Sequence, residues 1–331
     1  MNPSQRSPFH LHGVGPAYTW KLAMSGVDTI QEILDHNNLE KLSEQTSIPH
    51  KALRMIRLKA KSIVNDRIIQ IAPFWMPEKD PIYLDIETVP NWSKVWLIGL
   101  LIDDEFIQLY AEDYDKEKGI LSEFNDLICQ YKDRFFVTWT GYDTRVLRKR
   151  MLFHGISASH LDALGLVDLK LKLRRCFIFP TRGYGLKSIG KYLRYPFKNL
   201  HLNGLDVSNQ YQGHIENGKP LSTKVFEYNE DDVSSLPFLE GWARDYERRT
   251  RLASKIQYMN RRRFYVEETY KPYQLVKNPK FTELVLSWDQ RKMLEDQNKL
   301  GYKATKIVIE NSGTLKNDIT IHYKNGKKLK L

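Results

Sequence analysis

The stretch Pro81-Ile82-Tyr83-Leu84-Asp85-Ile86-Glu87-Thr88 has the composition of a buried β-strand but carries two acidic side chains. Apolar residues alternate with Tyr83, Asp85 and Glu87, so at the two-residue period of a strand the two acids share a face. Neighbouring carboxylates repel each other and are costly to remove from water. A divalent cation with oxygen ligands, Mg²⁺ or Mn²⁺, offsets that cost. The alternative is an edge strand of a hairpin with a solvated acidic face.

The composition is typical of a globular protein with more than one domain. The 331 residues are enough for two or three domains, and 41% of them are hydrophobic and 27% charged. No apolar run reaches the roughly 18 residues of a membrane-spanning helix, and residues 1–9 lack the apolar region of a signal peptide. Cys129 and Cys176 form neither a metal-binding motif nor a disulfide framework. We therefore expect an intracellular, cytoplasmic protein without a membrane segment.

The positive charge is concentrated towards the end of the sequence. The net charge is +11, and residues 241–331 contain 21 Lys and Arg against 10 Asp and Glu, which accounts for all of the excess. A basic region of this kind favours a polyanionic partner, most often nucleic acid. The alternative is a charge that serves solubility alone.

Residues 1–70 have the pattern of a small all-helical domain. Gly13-Val14-Gly15-Pro16 precedes a first helix, and Asp28 or Thr29 caps a second. Glycines between helices let the backbone approach a phosphate, which the free N–H groups of the next helix face. With Gly26-Val27-Asp28-Thr29 and Ile33-Leu34, this stretch resembles the helix-hairpin-helix domain of archaeal and eukaryotic recombinases. The resemblance implies contact with the DNA backbone, and the alternative is a small helical protein-interaction domain.

Residues 81–247 are predicted to form the central domain, after a Pro-containing linker over residues 71–80. The pattern indicates an α/β fold in which a mixed sheet is flanked by helices. Residues 201–220, rich in Asn and Gly, are predicted to be a surface excursion. The other elements predicted in the N-terminal and central domains are helices near Leu39–Thr46, His50–Asn65, Ile120–Tyr131, Val207–Gln212 and Leu221–Tyr246, strands over Val95–Ile102, Glu105–Tyr110 and Arg134–Thr140, and a basic irregular stretch over Arg174–Arg182.

Further acidic residues lie where an acid also has a structural explanation. Asp143 lies at a strand-to-helix turn, where Asp is a good N-cap. Tyr228 and Asp232 are i and i+4 on the long helix and therefore share a face. Asp232 is in register with the apolar stripe of this helix, which a solvated acidic face does not explain. The neighbouring Asp231, three residues from Tyr228, is the competing candidate.

The ordered set Asp85-x-Glu87, Asp143 and Tyr228-x-x-x-Asp232 resembles the DEDD superfamily of exonucleases in its tyrosine-type branch. The resemblance covers about 81–245 and implies a ribonuclease-H-like fold. It departs from many relatives at Gly141, where they carry Asn, and Asp168 is interpreted as a cap. The surrounding motifs are similar to those of a predicted ribonuclease-H-like exonuclease family of bacteria and archaea: Thr138-Trp139-Thr140-Gly141-Tyr142-Asp143, Leu166-Val167-Asp168-Leu169, Gly185-Leu186-Lys187-Ser188-Ile189 and Glu227-Tyr228-Asn229-Glu230-Asp231-Asp232-Val233.

The resemblance implies hydrolysis of phosphodiester bonds with two bound Mg²⁺ or Mn²⁺ ions. Asp85 would bridge both ions. Glu87 and Asp232 would hold the ion that binds the attacking water, and Asp143 would act on the other. Tyr228 would orient that water through its hydroxyl.

No family resemblance is found for residues 248–331. The sequence predicts a basic helix over 247–263, a helix near Trp288–Leu300, strands over Tyr302–Ile309 and Asp318–Tyr323, and a hairpin turn at Asn325-Gly326. Tyrosines interleaved with basic residues suit single-strand binding by stacking and phosphate contact. The alternative is an ordinary α+β appendage. Across the chain, the residues predicted to contact nucleic acid are Gly13, Gly15, Lys51, Arg54, Lys187, Arg261, Arg262 and Arg263.

The leading hypothesis is a metal-dependent 3′–5′ exonuclease that acts on DNA in repair or nucleic-acid processing. DNA is favoured over RNA by the helix-hairpin-helix resemblance and by the basic C-terminal region. The alternatives are a non-catalytic DNA-binding adaptor with a nuclease fold, an exoribonuclease, and an endonuclease with the same metal core. All four acids and the tyrosine are present, which argues against the adaptor.

Overall fold

The structure is a computed structural model that describes residues 2–90, 94–259, 263–266, 304–311, 317–323 and 328–330, with side chains described for residues 2–90 and 94–250. The chain divides into two compact units, residues 1–244 and residues 245–331. The division predicted from the sequence, into domains over 1–70 and 81–247, remains a prediction.

The first unit begins with four α-helices and continues with strands and helices, the last of which extends past Arg244. The strands are β1 (Ile69–Gln70), β2 (Pro81–Thr88), β3 (Val95–Ile102), β4 (Glu105–Tyr110), β5 (Phe135–Thr138), β6 (Gly165–Asp168) and β7 (Phe177–Ile178). The helices are α1 (Pro16–Ala23), α2 (Ile30–Asp35), α3 (Leu39–Thr46), α4 (His50–Val64), α5 (Glu117–Ile128), α6 (Tyr142–Phe153), α7 (Ser159–Ala163), α8 (Leu169–Cys176), α9 (Leu186–Tyr192), α10 (Gly204–Asn217) and α11 (Lys224–Met259).

A five-stranded mixed sheet organises the first unit, in the order β4-β3-β2-β5-β6. Strand β2 is antiparallel to β3 and parallel to β5, with Asp85 opposite Gly99. The apolar residues Ile82, Leu84 and Ile86 are buried in the main core, to which α5 and α6 also contribute. The predicted α/β fold class with a mixed sheet is confirmed.

The first four helices enclose a separate apolar core that includes Leu22, Ile30 and Leu53. Helix α2 begins after Thr29, because the Thr29 hydroxyl accepts a hydrogen bond from Glu32 N and the Glu32 carboxylate accepts one from Thr29 N. These helices are joined to the rest of the unit by the antiparallel pairing of β1 with β7 and by a hydrogen bond from the Ser62 hydroxyl to Ile178 O, 3.3 Å.

Several element bounds agree with the prediction, and others need correction. Helix α3 and strands β3 and β4 have the predicted bounds. The surface excursion predicted over 201–220 is wrong, because α10 buries Tyr211 against Trp96 with ring centroids 4.3 Å apart. The irregular stretch predicted from Arg174 is also partly wrong, because α8 extends to Cys176 after Asp168 caps its first turn. Helix α5 begins and ends three residues earlier than predicted, and α11 runs from Lys224 to Met259 rather than from Leu221 to Tyr246.

The described strands of the second unit form an antiparallel sheet in the order β11-β10-β9-β8, which confirms the two strands predicted there. Its strands are β8 (Arg263–Val266), β9 (Ala304–Asn311), β10 (Asn317–Tyr323) and β11 (Lys328–Lys330). The helix predicted near Trp288–Leu300, the turn at Asn325-Gly326 and the residues Arg261 and Arg262 lie outside the described residues.

Within the described ranges, no helix is both long enough and apolar enough to cross a lipid bilayer. The cytoplasmic location expected from the sequence remains a prediction.

Candidate active site

Strand β2 presents its polar side chains to α11. The Tyr83 hydroxyl donates to the Glu240 carboxylate (3.2 Å), and Asn229 Nδ2 donates to Asp85 Oδ2 (3.0 Å). Asp85 is partly buried, and Glu87 is only 6% exposed. The two acids therefore lie between the sheet and the helix, and the solvated edge strand is not what the structure contains.

Gly99 allows α11 to come this close to the sheet. A Cβ atom on Gly99 would overlap the Asn229 side chain and lie 3.0 Å from Val233 Cγ2. Asn229 is fully buried, and its Oδ1 accepts a hydrogen bond from Gln108 Nε2 (3.1 Å). The two consecutive hydrogen bonds, from Gln108 to Asn229 and from Asn229 to Asp85, fix the orientation of the Asp85 carboxylate.

Asp143 enters from the first turn of α6 and is only 5% exposed. Its carboxylate accepts hydrogen bonds from its own backbone N–H and from that of Ile86 on β2. The N-cap of α6 is Gly141, so the capping role weighed for Asp143 does not apply. Gly141 N donates to Asp168 Oδ2 (3.1 Å), and Asp168 also caps α8 by accepting from Leu171 N (2.7 Å).

The two neighbouring acids on α11 have different surroundings. Asp231 accepts hydrogen bonds from the backbone amides of Lys198 (2.7 Å) and Asn199 (3.1 Å), and so it anchors the loop before α10. Asp232 instead accepts a hydrogen bond from the Tyr228 hydroxyl, one turn away. Asp232 therefore lies with the other acids, as its register with Tyr228 predicts.

The structure brings Asp85, Glu87, Asp143 and Asp232, here called the acid cluster, into mutual electrostatic contact. Burial, followed by the charges of Asp143 and Glu87, raises the pKa of Asp85 well above its usual value. Burial and the charge of Asp232 do the same to the pKa of Glu87. Burial raises the pKa of Asp143 to about 7 and that of Asp232 to about 6. Without a cation, the acid cluster therefore holds protons close to neutral pH.

Tyr228 and Lys187 complete the acid side of the site. Burial, and then the charge of Asp232, raises the pKa of Tyr228, so its hydroxyl stays protonated at neutral pH. Lys187 Nζ lies 3.4 Å from the centre of the Tyr228 ring and 3.8 Å from Asp232 Oδ1, and it donates to Leu202 O (3.2 Å). Burial lowers the pKa of Lys187, and the nearby carboxylates oppose that shift. The Lys187 ammonium therefore offsets part of the negative charge.

The chemistry of the acid cluster fits a divalent cation, although its geometry does not yet enclose one. Asp232 Oδ1 is buried, and no group among the described side chains forms a hydrogen bond to it. Hard oxygen ligands on buried, mutually repelling acids are the donor set that Mg²⁺ and Mn²⁺ prefer. Among the described residues, no group of three or more His, Cys, Asp or Glu side chains has the arrangement of a preformed metal site.

The other residues predicted to contact nucleic acid are distant from β2 in the sequence. Gly13 and Gly15 are exposed before α1, and Lys51 and Arg54 are exposed on α4. Arg263 begins β8, and its side chain lies outside the described atoms.

Sequence reasoning missed Gly99 and Asn229. A glycine within an otherwise apolar strand marks a close approach of another chain segment, and Gly99 in β3 carried that signal. Asn229 stood inside the tyrosine motif, but its position between Gln108 and Asp85 depends on how α11 docks on the sheet.

A cavity of about 270 Å³ opens beside Gly141, two residues before Asp143. It is lined by Phe136, Gly141, Thr144, Arg145, Arg148, Leu161, Asp162, Leu164 and Leu166. A Cβ at Gly141 would lie 3.6 Å from Leu166, an ordinary contact, so the departure from the family motif leaves room for a larger side chain.

Residues 82–244 match the model of a family described as the RNase_H superfamily. The match supports the ribonuclease-H-like fold predicted for this region. Among solved structures, the chain is similar to the family B DNA polymerase from the hyperthermophilic archaeon Pyrobaculum calidifontis, with 14% identity and a TM-score of 0.39. That alignment covers 70% of this chain and 35% of the polymerase chain, so it spans about a third of the polymerase's length. No curated protein sequence is significantly similar to the chain.

Proposed function

We propose that this protein is a divalent-metal-dependent nuclease of the tyrosine-type DEDD branch, and that it removes nucleotides from the 3′ end of DNA. The observation that carries the proposal is the acid cluster. Its members come from β2, α6 and α11, far apart in sequence. Burial raises the pKa of each, and the charges of other members raise those of Asp85, Glu87 and Asp143 further. Folding concentrates negative charge there at a cost in stability, which is typical of a site built for a cation.

Asp85, Glu87, Asp143 and Asp232 would hold the metal ions. When bound, the ions would supply a water of lowered pKa and positive charge against the charge that develops on the phosphate. Asn229 keeps the Asp85 carboxylate oriented through its 3.0 Å hydrogen bond. Mutation of a group that orients a metal ligand typically lowers metal affinity or activity by about 10- to 100-fold.

Tyr228 would orient the attacking water as a hydrogen-bonding group and not as a base. Its raised pKa keeps the proton on the hydroxyl, and its ring is fixed against the Lys187 ammonium. In this role the hydroxyl supplies geometry and takes no proton from the water.

A second candidate function is favoured by one observation. Lys187 Nζ lies 3.8 Å from Asp232 Oδ1, so an ammonium group of the protein already offsets part of the negative charge of the acid cluster. A site compensated in this way would suit a non-catalytic adaptor that binds nucleic acid through a nuclease fold. Tight binding without cleavage under every metal condition would select this alternative.

The test uses single-stranded and duplex DNA labelled at either end, and RNA of the same sequence, each with Mg²⁺, with Mn²⁺ and with EDTA. We expect release of mononucleotides from the 3′ end of DNA, dependent on metal. Asp85→Asn and Asp232→Asn should each reduce the rate at least about 100-fold, because each removes a charged ligand.

Asp231→Asn is the matched control, because it removes the same charge one residue away but from a side chain that anchors a loop. It should retain cleavage once folding is verified by circular dichroism. Cleavage that persists in Asp85→Asn or Asp232→Asn would refute the assigned site. Internal cuts would change the reaction to endonucleolysis, and preferential cleavage of RNA would change the substrate.

A further inference from the structure

A group of basic side chains lies where the N-terminal helices meet the sheet region, and we call it the junction cluster: His12, Lys59, Lys170 and Arg174. Lys59 on α4 donates to His12 O (2.6 Å). The His12 ring lies 5.0 Å from the Tyr184 ring, which belongs to the segment before α9. Lys170 and Arg174 belong to α8 and act electrostatically on His12, and Arg174 also acts on Lys59. The cluster therefore joins two regions of the first unit.

The junction cluster has no acidic counterpart among the described side chains. None of the described ion pairs, with a limit of 4.0 Å, includes Lys59, Lys170 or Arg174. Burial lowers the pKa of both His12 and Lys59, and the neighbouring cations lower both further. Like charges held together without a counterion reduce stability, and such an arrangement is typical of a surface that receives an anion.

The glycine turn before α1 adds backbone to this surface. Gly13 has a φ of +73°, which favours glycine, and a Cβ there would lie 3.5 Å from Lys59 Nζ. Gly13 and Gly15 are both exposed. A phosphate oxygen can therefore approach this backbone closely beside the Lys59 ammonium.

Helix α8 connects the junction cluster to the acid cluster. Lys170 and Arg174 are four residues apart, so they share one face of α8 at a spacing of about 6 Å along its axis. The helix begins at Asp168, which accepts the hydrogen bond from Gly141, two residues before Asp143. Lys170 and Arg174 on α8 therefore lie between the Asp143 side of the candidate active site and the glycine turn.

We propose that the junction cluster binds successive backbone phosphates of a nucleic-acid strand whose end lies at the acid cluster. The inference rests on the proposed function for the placement of that end. The binding itself depends only on the cations and the glycine turn. It makes the N-terminal helices and α8 one composite surface, in which the sequence-independent contacts come from both regions. Because the contacts are to phosphates, DNA and RNA strands should both be bound.

The test measures binding of a fluorescent 20-nucleotide DNA strand, and of RNA with the same sequence, in EDTA at several salt concentrations. The double variant Lys170→Gln/Arg174→Gln should weaken binding about tenfold or more and reduce the slope of log affinity against log salt by about 1.4, since a single strand loses about 0.7 per phosphate contact. Arg174 is exposed and Lys170 is partly buried, and thermal unfolding verifies the fold.

The matched control is Lys61→Gln/Lys118→Gln, which removes the same charge from exposed lysines on α4 and α5. Lys61 is two residues from Lys59 and therefore points to the opposite side of α4. The control should keep the affinity and slope of the wild type. At Lys59, Lys59→Gln should lower the slope and Lys59→Arg should restore it. An unchanged slope in the Lys170/Arg174 variant, or an equal loss in the control, would overturn the proposal.

Failure of the site and failure of the proposed function are separable. With a thymidine dinucleotide, whose single internucleotide phosphate is the one to be cleaved and which has no further phosphates for the junction cluster, the Lys170/Arg174 variant should cleave at the wild-type rate in Mg²⁺ while losing activity on the 20-mer. If the wild type cleaves nothing but the binding differences hold, the proposed function is wrong and the junction site stands. If the dinucleotide loses activity as much as the 20-mer, the cluster acts on the catalytic site and the strand-binding role is wrong.

Discussion

At the scale of the residue, burial sets the protonation of the acid cluster. Asp143 is only 5% exposed, and its pKa is raised to about 7 mainly because the charged form is desolvated. Hydrogen bonds from two backbone amides limit the shift but do not reverse it. A carboxyl group of this kind is neutral below the shifted pKa and becomes charged, at a cost to the folded state, as the pH rises through it.

This predicts a pH-dependent effect of Asp143→Asn on the metal-free protein. The unfolded-state pKa of Asp143 is 3.8 and the folded value is about 7, so the folded state binds more protons in that window and wild-type stability falls as pH rises from about 4 to about 7. The neutral Asn does not undergo this loss. The variant should therefore gain stability relative to the wild type across the window, on the order of 4 kcal/mol at most, with a plateau above it. Thermal unfolding in EDTA at pH 4 to 8 measures the difference.

The exposed Asp126→Asn on α5 is the control, and its unfolding should follow the wild-type pH profile. A constant difference between Asp143→Asn and the wild type at every pH would show that Asp143 does not titrate in this window.

The sequence predicted the acids from spacing, but it did not predict the role of Asn229. Its bond to Asp85 exists only because two segments about 140 residues apart are packed together.

At the scale of the element, the seating of α11 on the sheet decides the geometry of the site. Gly99 on β3 lies opposite Asp85 and leaves space for Asn229 and Val233. A strand residue with a side chain would push the helix away, because neither the buried helix nor the central strand can move freely. Tyr228 and Asp232 would move with the helix.

Gly99→Ala should therefore reduce both stability and activity. We expect a loss of about 1–3 kcal/mol in the free energy of unfolding from overpacking. We also expect a fall in metal-dependent cleavage of about tenfold or more, because Asn229 can no longer fix Asp85. Denaturant unfolding and cleavage of labelled DNA measure the two effects.

Gly119→Ala on α5 is the matched control, because a Cβ at Gly119 meets nothing within 4 Å. It should leave activity unchanged and stabilise the helix by up to about 1 kcal/mol. Wild-type stability and activity in Gly99→Ala would mean that α11 can move away from the sheet at no cost.

Elements whose burial depends on a distant partner could not be predicted from the sequence. The segment that forms α10 was predicted to be a surface excursion, because the burial of Tyr211 depends on its stacking against Trp96, which is distant in sequence.

At the scale of the whole molecule, the acid cluster couples metal binding to folding and to pH. Divalent cations that bind the folded state stabilise it by mass action, by about 2.7 kcal/mol at a concentration 100 times the dissociation constant. Protons compete for the same carboxylates, since the pKa values of Asp232 and Asp143 are raised to about 6 and about 7. Metal affinity should therefore increase as pH rises through this range.

The expected result is that Mg²⁺ or Mn²⁺ raises the Tm by several °C at pH 8 and by clearly less at pH 5.5. The double variant Asp85→Asn/Asp232→Asn should show no metal-dependent shift at either pH. Differential scanning calorimetry with and without EDTA makes the comparison. Equal shifts at both pH values, or a shift that persists in the double variant, would place the bound cation elsewhere in the protein.

The sequence by itself determined the order of the strands and helices around β2, the shared face of Asp85 and Glu87, and the register of Tyr228 with Asp232. These follow from the two-residue period of strands and the 3.6-residue period of helices, which are local properties. Only the tertiary structure decided that Asn229 reaches Asp85, where Lys187 points, and that Lys59 reaches the backbone of the glycine turn. Those features depend on distances between segments remote in sequence, and local patterns carry no information about such distances.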